Sequence, residues 1–197
     1  DLATVRKASE ALEELLERID ILHKTHLSMR GILQYVKEDK IGLSELNWGA
    51  KIDSGSIGIN YSFNSPISEQ TRSELNRLSE FMNQNFIIRL HSLLEYEGIK
   101  GEKTSIDKTL AGCDMIEIIH FLRIQYAHRH GDFDPADCDS VKLRKRLLET
   151  FNIDPAEVLP NQFPLDKNRV IKPIVEGTKE YISAFWKKNK ETEKTKT

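Results

Sequence analysis

The sequence predicts an all-α fold, a helical bundle of about five main helices with a small irregular, β-hairpin-bearing insertion between the first two. Three observations predict it. Apolar residues recur at spacings of three and four over most of the chain. Glycines and capping residues fall where those periodic stretches stop. One segment, residues 41–66, breaks the pattern with glycine, serine, asparagine and short-range alternation. At 197 residues the chain is long enough for one sizeable core, and residues 1–187 read as a single domain.

The first helix is expected over residues 3–37, where Leu12, Leu15, Leu16, Ile19, Leu22, Ile32 and Leu33 form an apolar stripe among Glu, Arg and Lys. Gly31 is a candidate kink, because glycine costs about 1 kcal/mol in a helix interior. In the insertion, Ile57, Ile59, Tyr61 and Phe63 alternate with small or polar residues. This reads as a hairpin strand with a turn at Ser54-Gly55-Ser56. Ser68 is a fitting N-cap for a second long helix over 69–97, with Leu75, Met82, Phe86, Leu90 and Leu94 on its apolar face and Gly98 at its end. Ser105 or Asp107 is expected to start a short helical turn reaching Ala111. Gly112 then breaks the chain before residues 114–128.

That third main segment is apolar nearly all round, through Met115, Ile116, Ile118, Ile119, Phe121, Leu122, Ile124 and Tyr126. Such a helix is a buried one, inside the fold or at a subunit interface. A fourth helix is expected from about Pro135 to Phe151, a turn at Asp154-Pro155, and a last amphipathic helix over 168–188. The Lys-, Glu- and Thr-rich residues 188–197 are expected to be a disordered charged tail.

Composition excludes several classes. A net charge of −2 with 30 % charged residues carries no global basic excess, so any phosphate-binding surface must be local. No apolar run approaches the 18 to 20 or so residues of a membrane span, and Asp1-Leu2-Ala3-Thr4 does not open a secretory leader. The two cysteines, Cys113 and Cys138, have no CxxC spacing and read as reduced thiols. The expectation is a cytoplasmic protein without membrane contact, cofactor or metal.

The polar members of the third helix carry the chemistry. Glu117, His120, Arg123, Gln125 and His128 stand out, since buried charge must be paired or functional. Arg123 and His128 lie roughly 140° apart on an ideal helix. His128, however, precedes Arg129-His130-Gly131, where the backbone can unwind, and a second protomer could bring its own pair alongside.

The segment Arg123-Ile124-Gln125-Tyr126-Ala127-His128 resembles the signature of the HEPN superfamily, Arg followed after four to six residues by His. The placement adds to the resemblance. The pair ends a very apolar helix, comes before a glycine, and follows a long helix containing Phe86-Ile87-Ile88-Arg89-Leu90. The likeness extends in general character over residues 68–186 and leaves the insertion without a counterpart. It implies a metal-independent endoribonuclease acting at a homodimer interface, in a defence or toxin–antitoxin setting with an antitoxin or other protein as partner. The 2′-OH would attack the adjacent phosphate of RNA, leaving a 2′,3′-cyclic phosphate and a 5′-OH. Imidazole suits the proton transfers, so His128 takes the acid/base role. Guanidinium suits the developing charge, so Arg123 stabilises it. Gln125, Arg129 and His130 are the candidate substrate contacts. Ile124 stands where many catalytic members have a polar residue. The alternative is accordingly a catalytically inactive helical module that binds a protein or a nucleotide.

Lys142 and Arg146, with Arg144 and Lys145 between them, read first as a solvated helix face. Packed beside the Arg123 helix, Lys142 and Arg146 would line an approach for RNA phosphates. His128-Arg129-His130-Gly131-Asp132-Phe133 has a superficial zinc-hydrolase look, but no histidine follows His130 to complete a ligand set. Asp132, Asp134, Asp137 and Asp139 form an acidic cluster without the offsets of a cation loop, and Asp134 or Asp137 fits better as an N-cap or first-turn acid of the next helix. His23 and His26 read as surface residues, His91 and His120 as buried, hydrogen-bonded ones. No glycine-rich phosphate loop is present.

Overall fold

The computed structural model describes the backbone of residues 2–37, 45–52, 55–62, 68–100, 105–128, 133–158 and 162–194, and side chains over 10–34, 68–100, 105–127, 133–158, 162–166 and 168–189. The described chain is mostly helical, with α1 (Leu2–Lys37), α2 (Glu69–Tyr96), α3 (Cys113–His128), α4 (Cys138–Thr150) and α5 (Lys172–Lys194). None of the described helices is long and apolar enough to cross a membrane.

Local chemistry sets the helix ends. The Ser68 Oγ accepts the Thr71 N–H at 3.1 Å and starts α2. Its end is a reversed turn around Gly98, which takes φ +67° while the Ile99 N–H reaches back to the Leu94 carbonyl at 2.9 Å. At α4 the Asp137 carboxylate accepts the Asp139 and Ser140 N–H groups. The helix therefore begins at Cys138, three positions inside the Pro135 start that the sequence suggested.

Two other boundaries differ from expectation. Residues 105–111, expected as a short helical turn, form turns outside any helix, with the Leu110 N–H on the Asp107 carbonyl at 3.2 Å, because the Asp107 Oδ1 takes the Thr109 N–H at 3.0 Å and the Thr109 hydroxyl at 2.6 Å. A side chain that bonds its neighbouring backbone competes with helix formation. At the other end of the chain, a wide helical turn at Lys167–Ile171 leads into α5, and α5 runs on to Lys194 through residues assigned to a disordered tail. Lys and Glu are good helix formers, and as extensions of a packed helix they need no nucleation of their own. Residues 195–197 lie outside the described residues.

Contacts divide the chain into two compact units, residues 1–25 with 83–197, and residues 26–82. In the second unit the backbone pairs antiparallel as β1 (Glu45–Ile52) and β2 (Gly55–Ser62), with Glu45 opposite Ser62 and Ile52 opposite Gly55. Of the expected turn Ser54-Gly55-Ser56, Gly55 and Ser56 belong to β2, and Ser54 lies outside the described residues with 38–44, 53 and 63–67. Leu75, Ser79 and Met82 of α2 are the unit's buried residues near its C-terminal end.

The first unit holds the main core. Leu15 and Ile19 of α1, Phe86, Ile87, Leu90 and Leu94 of α2, Ile116, Ile118, Ile119 and Leu122 of α3, Leu147 of α4, and Ile174, Tyr181 and Ile182 of α5 make one apolar cluster. α3 packs against both α5 and α4. Its approach to α5 is close because both sides are glycine: a Cβ on Gly112 would stand 2.0 Å from the Gly177 carbonyl oxygen. Gly112 also takes φ +77°, a conformation open to glycine without penalty. The apolar helix read from the sequence thus buries Ile116, Ile118, Ile119 and Leu122 in the core, while Phe121 stays 45 % exposed.

Candidate functional site

The described polar side chains of α3 have distinct surroundings. Glu117 faces outward to cations: its carboxylate accepts from Arg146 Nη2 at 2.7 Å and lies 3.3 Å from Lys108 Nζ. The same arginine nitrogen reaches Asp114 at 3.2 Å. The Arg146 hydrogen bond, with Lys108 assisting against partial burial, holds the Glu117 carboxyl below the ordinary carboxylate range. Arg146, a candidate substrate contact, is therefore engaged in tying α4 to the start of α3.

Gln125 is buried. Its Oε1 accepts the Ser140 hydroxyl at 2.9 Å, and its Nε2 lies 3.5 Å from the Asp137 carboxylate that caps α4. The amide joins α3 to the first turn of α4, and this buried exchange occupies the side chain placed among the substrate contacts. Lys142 projects from the exposed face of α4, with Asp139 at 3.9 Å. Arg129 and His130 lie outside the described residues. His128 is the last residue of α3, and its side chain lies outside them as well.

Arg123 is half-buried on α3, one turn beyond His120, and this spacing puts the two on one helix face. Opposite that face stands His91 of α2. His91 Nε2 and His120 Nδ1 are 3.2 Å apart, with the rings stacked at a centroid distance of 5.4 Å and 23° between planes. His91 is only 1 % exposed, whereas His120 is half-buried. On the far side of His91, Glu95 Oε2, one α2 turn further on, lies 3.4 Å from the buried Nδ1. Beside His120, Phe121 is 45 % exposed.

The electrostatics favour neutral imidazoles. Burial lowers the pKa of His91, Glu95 opposes this, and the charges of Arg123 and Lys100 add to the lowering. His120 is lowered by burial first and then by Lys100, His91 and Arg123, against Glu95. Near pH 7 both rings are thus free bases bracketed by one carboxylate and two cations. Such groups can accept a proton and bind an anion, the two abilities that acid–base work on a phosphodiester requires.

The sequence reading treated His91 and His120 as separate structural histidines and so missed their pairing. A signal was present in each helix, His91 with Glu95 at i,i+4 and His120 with Arg123 at i,i+3. That α2 and α3 turn these faces toward one another is a tertiary fact no local pattern encodes. No group of three or more His, Cys, Asp or Glu able to hold a metal ion occurs among the described residues. No protein-family model, curated protein or solved structure matches the chain.

Proposed function

We propose that this chain is a metal-independent endoribonuclease of the HEPN kind, acting as a homodimer and of the sort that serves as a toxin in defence or toxin–antitoxin systems. The observation that carries the reading is the gathering, on the α3 helix that His128 ends, of a half-buried guanidinium, Arg123, with the His120 imidazole, which meets His91 of α2. In this reading Arg123 stabilises charge on the phosphoryl oxygens. His128 donates or accepts a proton at the reacting oxygens. Lys142, exposed on α4, and Arg129 and His130, which follow the helix, supply contacts to RNA phosphates.

A second reading rests on Phe121, a large apolar side chain 45 % exposed on a helix whose Ile116, Ile118, Ile119 and Leu122 are buried. A catalytically silent module would use that surface to bind a protein partner. The two separate cleanly on labelled single-stranded RNA incubated with purified protein in EDTA. The nuclease yields fragments ending in 2′,3′-cyclic phosphate, absent with His128→Ala. The silent module leaves every RNA intact.

A further inference from the structure

The α2–α3 contact holds a chain of three groups that the proposed reaction has not yet used. Glu95 Oε2 stands 3.4 Å from His91 Nδ1, and His91 Nε2 stands 3.2 Å from His120 Nδ1. The order carboxylate, imidazole, imidazole runs from a buried ring to a half-buried one. We infer that Glu95 and His91 lock His120 into the tautomer that leaves its Nε2 bare, making His120 the general base that takes the 2′-OH proton; this rests on the nuclease reading above.

The tautomers follow one from another. A carboxylate only accepts, so the buried His91 Nδ1, 3.4 Å from Glu95 Oε2, carries the proton that faces it. His91 Nε2 is then a bare acceptor, and the nitrogen facing it, His120 Nδ1, must be the donor. The lone pair of His120 is left on Nε2. The reverse order would turn a bare His91 Nδ1 lone pair toward the Glu95 carboxylate, which repels it. A third group orienting a base through its remote nitrogen is a recurrent catalytic arrangement, and the carboxylate in it stays ionised.

In the step this serves, the 2′-oxygen forms a bond to phosphorus as the bond from phosphorus to the 5′-oxygen breaks. The 2′-OH proton passes to His120 Nε2, and a proton from the His128 imidazolium goes to the departing 5′-oxygen. The cyclic phosphate and 5′-OH are the only products. The charged groups bearing on the pair are Glu95, Arg123 and Lys100. Glu95 favours the imidazolium that His120 becomes, and the two cations keep the ring neutral beforehand. His120 is a catalytic residue in this account, while His91 and Glu95 position it.

The test joins a structural and a kinetic readout on the full chain. Long-range proton–nitrogen NMR of the nitrogen-15-labelled protein at pH 7.5 assigns the tautomers, with His120→Asn and His91→Gln identifying the resonances. The expected result is Nδ1–H on both rings with bare Nε2. Cleavage by His120→Asn should fall about 10²- to 10⁴-fold. Glu95→Gln keeps an acceptor for His91 but loses the charge, so the acid limb of the kcat/KM profile should move to lower pH, a shift that a merely structural role would not produce. A His120 proton on Nε2 overturns the inference whatever the protein does to RNA. So does a folded His120→Asn that cleaves as fast as the parent. A parent that cleaves no RNA ends the nuclease reading and the base role together, and the tautomer spectrum then stands as a separate record of the chain of groups.

Discussion

His91 and His120 face each other across 3.2 Å with stacked rings, and burial keeps both from charging easily. In the unfolded chain each would titrate near 6.5. The folded values are lower, so the unfolded state binds more protons as pH falls. Stability from these rings is fully present above about pH 6.5 and is lost as pH drops from there through the folded values. His23, also lowered mainly by burial, adds to the same window.

The first prediction is therefore a loss of unfolding free energy that begins near pH 6.5, above the range where carboxylates contribute. Urea midpoints between pH 7.5 and 5 measure it. The double variant His91→Gln, His120→Gln should show a shallower decline over that interval than the parent. An equal decline would place the effect elsewhere.

A second prediction concerns the α3–α5 crossing. Gly112→Ala meets a backbone oxygen at 2.0 Å and a positive φ, so it should destabilise by about 3 kcal/mol. Gly177→Ala instead meets the Met115 side chain at 2.4 Å, which can shift, and it gains helix propensity of up to about 1 kcal/mol. Thermal unfolding should show Gly112→Ala far below Gly177→Ala. Equal losses would mean that the crossing is looser than described.

A third prediction separates positioning from substrate contact on α4. Gln125→Ala strips the buried Ser140 hydroxyl of its acceptor and should cost about 1–3 kcal/mol. Arg146→Ala likewise leaves Glu117 without its 2.7 Å donor. Lys142→Ala removes an exposed side chain and should leave stability within about 0.5 kcal/mol. RNA affinity should respond in the opposite sense, weakening with Lys142→Ala and showing a smaller salt slope. A filter-binding titration at two salt concentrations checks it.

The helical class was legible because burying one face of a helix forces a period near 3.6 that α1, α2, α4 and α5 carry openly. α3 was legible for another reason, a run of apolar residues too dense for a surface element. Boundaries went astray where a single side chain decides them: Asp107 holds a turn, Asp137 starts α4 late, and Lys and Glu carry α5 onward. At the site, Arg123 was visible as a charge in an apolar helix. Gln125 and Arg146 were equally visible, but their partners, Ser140 and Glu117, lie far along the chain, so their packing duty could not be read. His91 and His120 are 29 positions apart, and nothing short of the folded α2–α3 contact joins them.

The account turns on α3 as the working helix of a ribonuclease. Single-turnover cleavage of a labelled RNA in EDTA, comparing the parent with Arg123→Ala and His128→Ala of matched circular dichroism, addresses that most directly. The account predicts cyclic-phosphate products from the parent and a rate lower by at least about 10²-fold in each variant. Cleavage that persists unchanged in both folded variants, or that the parent never performs, would contradict it.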